Sequence, residues 1–281
     1  MVSIGGRGGF LVLLIPALTA YLIAVDALSG RRASSMSPEL SVRLPLAAQV
    51  LMAGGDRHLA ANLAGFRVLV ADTFRMRQDE FHTQAQLQKD ISWLNPAHED
   101  NYYIAAAILS EPPLIPAAQY VLRRAADARP RDWQPLFYYG FNLYHFEKNP
   151  AAGAAALLEG VQRTSDIGEQ WGLQALAARW IERGYRTDEA VRLVGEMARN
   201  APPGGFKRYL SIRQERLMQL DRLRKLAKDF KVMYGRPLSR IDELVEEKLI
   251  DQIPVDPLNA GFAVDPAGEP VFLDAVPAGG R

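Results

Sequence analysis

Small residues recur at a fixed interval in the middle of this chain: Ala106 and Ala118, then Gly140 and Ala152. Each member of the pair moves by 34 residues, and the two members stand 12 apart. A third pair, Ala178 and Ala190, keeps the 12-residue gap after a slightly longer step. A period of about 34 residues is that of a helix–turn–helix repeat, whose units bury their apolar faces only by stacking on neighbours. Small residues at two points of the unit let its paired helices approach closely. Such arrays present a curved surface to other chains and seldom carry reaction chemistry, so the spacing predicts a partner-binding role.

The punctuation along the chain agrees with a mainly α fold. Turn signals fall at Gly54-Gly55-Asp56, Asn95-Pro96, Pro112-Pro113, Arg129-Pro130, Asn149-Pro150, Gly184 and Pro202-Pro203-Gly204-Gly205. They leave room for helices of about 10–20 residues, with no strand-like alternation between them. Residues 40–204 therefore read as helical repeats. Residues 205–235 read as one long amphipathic helix, with Leu210, Leu217, Leu220, Leu223, Ala227 and Phe230 on its apolar face. The many Lys and Arg residues between them, Arg213, Arg216 and Arg224 included, read either as a surface for an acidic partner or nucleic acid or as a solvated face partly neutralised by Glu215, Asp221 and Asp229, the solvated face being favoured. Residues 236–281 form a small α+β segment. It is expected to hold a short helix over Leu238–Leu249 and a hairpin around Asp265-Pro266-Ala267-Gly268. A segment this small cannot bury a core of its own and is expected to dock on the long helix.

The N-terminus imposes a second constraint. Residues 8–25 carry no charge and include Phe10, Leu11, Val12, Leu13, Leu14, Ile15, Leu18, Tyr21, Leu22 and Ile23. Such a run is long enough for a membrane-spanning helix, which needs roughly 17–25 residues, and Pro16 is tolerated there with a kink. Residues 1–28 thus read as a transmembrane anchor in contact with the bilayer over 9–28, or as a signal peptide cleaved near Val25-Asp26-Ala27. The length of the run and the sparse charge before it, Arg7 alone, favour the anchor. Arg7 on one side is balanced by Arg31 and Arg32 on the other, so basic residues do not decide the orientation. A first helix acting as an export signal would leave the bulk of the chain periplasmic. Residues 29–39, small and polar, read as a juxtamembrane linker.

The net charge of +1 offers no field to recruit nucleic acid. Cysteine is absent, which excludes disulfides, thiol catalysis and lipoprotein modification. The histidines His58, His82, His98 and His145 do not pair at helical metal-ligand spacing, so no metal is expected. Gly5-Gly6-Arg7-Gly8-Gly9 precedes an apolar run, not a strand-to-helix turn, so no phosphate-cradling loop and no cofactor are expected. His98-Glu99-Asp100 reads as the charged start of a helix. No catalytic residue is expected. An enzyme would have to assemble its site from Glu99, Asp100, Asp256 and Asp265, between the repeats and the tail.

The segments Asn101-Tyr102-Tyr103-Ile104-Ala105-Ala106 and Pro135-Leu136-Phe137-Tyr138-Tyr139-Gly140-Phe141-Asn142 resemble tetratricopeptide repeats. The likeness covers residues 99–200, and the third unit departs from it through extra length around Thr164–Gly168. A further degenerate unit would lie around Leu59–Val70 and Phe81–Trp93. Carried over by position, the resemblance implies a groove lined by Tyr103, then Gln134, Phe137, Phe141, Tyr144 and His145, then Arg179, Glu182 and Arg183. Pro237, Leu244-Val245, Ile253-Pro254, Asp256-Pro257, Gly261-Phe262 and Gly268 make the tail similar to the end of type II secretion pseudopilins. Gly9-Phe10 lacks the glutamate that would follow a prepilin cleavage site, since Leu14 stands there. As a whole the chain resembles bacterial membrane-anchored tetratricopeptide proteins. That implies a scaffold of the inner membrane which holds envelope proteins in a pilus, secretion or polysaccharide-export assembly. A pilus-like structural subunit is the other reading the tail allows.

Overall fold

A computed structural model of the chain describes residues 16–23, 40, 43–71, 73 and 76–273. The linker at 29–39 and most of the apolar run lie outside the described residues. Residues 16–23 are helical (α1) and exposed; among the described residues no helix is long and apolar enough to cross a membrane.

The chain is mainly helical. The array begins with α2 (Leu46–Met52), α3 (Arg57–Val70) and α4 (Gln78–Leu94). It continues through α5 (Glu99–Ile108), α6 (Ile115–Ala128), α7 (Gln134–His145) and α8 (Pro150–Val161). Then follow α9 (Ile167–Gly184), α10 (Thr187–Asn200), the 30-residue α11 (Gly205–Tyr234) and the short α12 (Glu243–Glu246). Strands β1 (Phe262–Val264) and β2 (Pro270–Phe272) pair antiparallel, with Ala263 opposite Val271. The expected turn signals fall between these helices or at their ends.

Local chemistry sets several boundaries. Asp56 caps α3 by accepting from the amides of His58 and Leu59, and Asp166 caps α9 by accepting from Glu169. Asn149 caps α8 through the Ala152 amide, and Pro150 follows in the first turn, where its missing N–H costs no hydrogen bond. Gly235 ends α11 in the left-handed conformation, φ 69°, which glycine adopts without a Cβ clash.

The core is a succession of clusters, not a single centre. Leu87, Ile91 and Leu94 join α2–α4; Tyr102, Leu109 and Leu122 join α4–α7. Leu157, Ile181, Val194, Leu210 and Leu217 join α8–α11, and Leu223, Phe230, Leu238 and Leu244 dock the tail on α11. Every residue expected on the apolar face of the long helix is buried.

Three expectations are corrected. Among the small residues, Ala106 and Ala152 are only half-buried, while Ala105 and Gly153 sit at the helix contacts. One position along a helix turns the side chain by roughly 100°, so the next residue faces the neighbour instead. The tail helix is shorter than Leu238–Leu249. The Glu243 carboxylate accepts from the amides of Ser239 and Arg240, holding that stretch in a turn, and Lys248 at φ 56° ends the helical path. Arg216 belongs to the interior, with a side chain only 2% exposed.

Candidate partner-binding site

The bare backbones of Gly140 and Gly153 organise the middle of the array. A methyl group at Gly140 would come within 2.9 Å of the Gly153 carbonyl oxygen, and one at Gly153 within 2.9 Å of that of Gly140. The two glycines let α7 and α8 touch and also clear a bed for the indole of Trp180 on α9. Trp180 stacks on Tyr144 with ring centroids 4.5 Å apart and planes 10° from parallel. Arg183, one turn further along α9, donates from Nη1 to the Tyr144 hydroxyl. The small residues of the second repeat thus set the position of the third.

The expected groove residues divide into two groups. Those of the first two repeats largely occupy one another. Tyr103 donates its hydroxyl to Gln134 Oε1. Phe137 lies half-buried, edge-on to Trp133 at 5.9 Å and to Tyr138 at 5.4 Å. Phe141 stacks on His145 at 5.3 Å and remains 38% exposed. Burial first, with the Tyr103 hydroxyl and Asp132 adding to it, pushes the neighbouring Tyr102 phenol far above its ordinary range.

Arg179, Glu182 and Arg183 from the third repeat open instead into a cleft of about 480 Å³. Its other walls are Arg213, Arg216, Leu220 and Arg224 of α11 and Val271 and Phe272 of the tail. Glu182 accepts from Arg213 at 2.7 Å with both side chains nearly buried, so it is an internal partner and not a free contact. Arg213 also donates from Nε to the Tyr209 hydroxyl at 2.7 Å. Arg216 donates from Nε to Asp256 at 2.9 Å and lies 3.9 Å over the Phe272 ring. Arg224 is held by neutral acceptors, the Pro270 carbonyl at 2.9 Å and the Thr187 hydroxyl at 2.6 Å.

Sequence reasoning singled out the α9 contribution and missed the α11 wall. The signal was present, because Arg213, Arg216, Leu220 and Arg224 recur at three- and four-residue steps and share one helix face. A basic helix in isolation reads as a solvated face or as a surface for an acidic partner, with no cleft; only the tail folding over it makes it a wall.

The carboxylates considered for catalysis lie in separate parts of the fold. Glu99 pairs with Arg129 at 2.9 Å and lines, with Asp100 and His98, another cavity near α3. His98 itself caps α5 by accepting from the Asn101 amide, and burial lowers its pKa. Asp256 is buried, accepting from Arg216 and from the amides of Leu258 and Gly261 at 2.9 Å. Asp265 accepts from the amides of Ala267 and Glu269 inside the hairpin turn. Among the described residues no group of three or more His, Cys, Asp or Glu side chains is placed to hold a metal ion.

No family model matches the chain, and no curated protein or solved structure matches it either.

Proposed function

We propose that this chain is a partner-binding scaffold of tetratricopeptide type, anchored in the inner membrane through residues 9–28 with its bulk on the periplasmic side. Its ligand is a peptide or helix of another envelope protein, taken up in a pilus, secretion or polysaccharide-export assembly. The observation that carries this reading is the junction of Tyr144, Trp180 and Arg183 beside the open cleft. Aromatic and arginine side chains on a rigid bed are the usual energetic anchors of an interface. Tyr103, Gln134 and Phe137 are taken up by one another and by Trp133 and Tyr138, which shortens the free groove, so the ligand is engaged mainly from the exposed edge of Phe141 to Arg183.

A photo-crosslinking residue in place of Tyr144, in the full chain in native membranes, tests the reading. A defined adduct is expected, lost when Arg183→Glu is added. A probe at Arg192, on an exposed face of α10, should not give it. Identical adducts from positions 144 and 192 would refute the groove. Extraction of the chain from membranes by alkaline carbonate would refute the anchor.

A further inference from the structure

Five arginines line the cleft, and two of them, Arg213 and Arg216, are bound to the carboxylates of Glu182 and Asp256. The other three meet no carboxylate among the described residues. Arg179 has no polar partner there, Arg183 touches only a phenol, and Arg224 touches only a carbonyl and a hydroxyl. Guanidinium groups gathered along one cleft repel each other and raise the local potential, so an arriving anion gains more there than beside an isolated surface arginine.

The three are not gathered round a point. Arg183 is tied to Tyr144 at the α7 side, Arg224 to Thr187 and the tail strand, and Arg179 lies one helical turn before Arg183. Between them the cleft is lined by the paired Glu182, Arg213 and Arg216 and by Leu220, Val271 and Phe272, of which Leu220 and Phe272 are buried and Val271 is half-buried. A single small oxyanion would satisfy one end of such a cleft and leave the arginine at the other end without a carboxylate. An extended chain with carboxylates at intervals reaches both ends.

We propose that the cleft between α9, α11 and β2 binds an acidic peptide segment. Its carboxylates are received by Arg179, Arg183 and Arg224, and its chain passes over the half-buried Val271. Arginine suits this task because its planar fork meets a carboxylate through two parallel hydrogen bonds. The proposal rests on the partner-binding reading and gives its ligand a chemical character.

Fluorescence anisotropy with a labelled decaglutamate peptide and the purified full chain tests it, with decaserine as the uncharged control. Binding is expected for decaglutamate alone, and raised salt should weaken it. Arg179→Glu combined with Arg183→Glu should weaken it by about tenfold or more. Both residues are exposed, so the variant should fold, as circular dichroism would verify. Arg208→Glu with Lys228→Glu makes the same charge change at exposed α11 positions outside the cleft and should leave affinity unchanged.

Three results would overturn the proposal: decaglutamate binding no better than decaserine, equal loss in both double variants, or displacement of the peptide by inorganic phosphate at concentrations where chloride has no effect. The last would make the cleft a small-oxyanion site. A Tyr144 crosslink that persists while decaglutamate fails would remove the acidic ligand and leave the scaffold reading standing.

Discussion

The two ends of the helical array are finished differently. At the C-terminal end, α10 is covered by α11, whose outer face carries Arg208, Glu215, Arg222, Lys225 and Lys228, and the tail closes over part of that helix. At the N-terminal end, α3 exposes Leu59, Leu63, Phe66 and Leu69, the last two more than 60% accessible. Stacked repeats bury the faces between neighbours, so the terminal unit needs a polar outer face to stay soluble. The C-terminal end has one along most of α11, interrupted by Met218 and by Val232 and Met233 in the last turn. Among the described residues the N-terminal end has an apolar stripe at helical spacing, on the side of the array that follows the apolar run of residues 8–25.

The largest expected effect is at the finished end. Asp256→Ala removes the buried carboxylate that accepts from Arg216 and from the amides of Leu258 and Gly261, a loss of about 3 kcal/mol in stability. Urea denaturation would measure it, and limited proteolysis should release fragments from residues 236–273. Hydrogen exchange in α3 and α4 should stay unchanged; if it rises equally, the two ends are one cooperative unit and the contrast fails.

Next in size is the middle of the array. Gly140→Val drives side-chain atoms into the Gly153 carbonyl and the Trp180 ring, an overpacking of about 1–3 kcal/mol or more. The lowered thermal midpoint should come with a lost Tyr144–Trp180 stack, visible in near-ultraviolet circular dichroism. An unchanged near-ultraviolet spectrum would separate the glycine contact from the groove.

A smaller effect concerns the seam between repeats. Arg123 of α6, and then Arg163, hold Glu159 of α8 ionised and lower its pKa, with partial burial opposing them. The folded value therefore lies below the unfolded one. The contribution is complete above the ordinary glutamate range and disappears as pH falls through the lower folded value. Thermal melts across that acidic window should show Glu159→Gln losing less stability on acidification than the parent protein does.

The smallest effect on stability is at the unfinished end. Leu63→Ser with Phe66→Ser should change unfolding free energy by no more than about 0.5 kcal/mol per site, since both side chains are exposed. Light scattering should instead record less self-association. A loss of several kcal/mol would mean that something already covers this face.

Much of the fold could be read from the chain because its signals are local. Gly54-Gly55-Asp56, Asn149-Pro150 and Pro202–Gly205 break helices by conformational preferences acting within a few residues, and they fall at observed boundaries. The apolar face of α11 follows from periodicity within one helix. The arginine cleft was half legible. Arg179 and Arg183 follow from repeat position, whereas the burial of Arg216 depends on Asp256, 40 residues away. No local pattern distinguishes an arginine that will meet a buried carboxylate from one that will meet water. The helix limits in the tail are not legible for a related reason: the Glu243 carboxylate accepts from the amides of Ser239 and Arg240, and this competes with the helix that the apolar pattern suggests.

The Asp256–Arg216 pair has a bearing beyond the tail's own stability. Asp256 fastens the segment that supplies Phe272, Val271 and the Pro270 carbonyl to the cleft. Docking of the tail and occupancy of the cleft are therefore reciprocal equilibria: whatever fills the cleft holds the tail down, by the same factor by which a docked tail tightens the ligand. The C-terminal segment is in this sense a clasp that any occupant of the cleft would help to fasten.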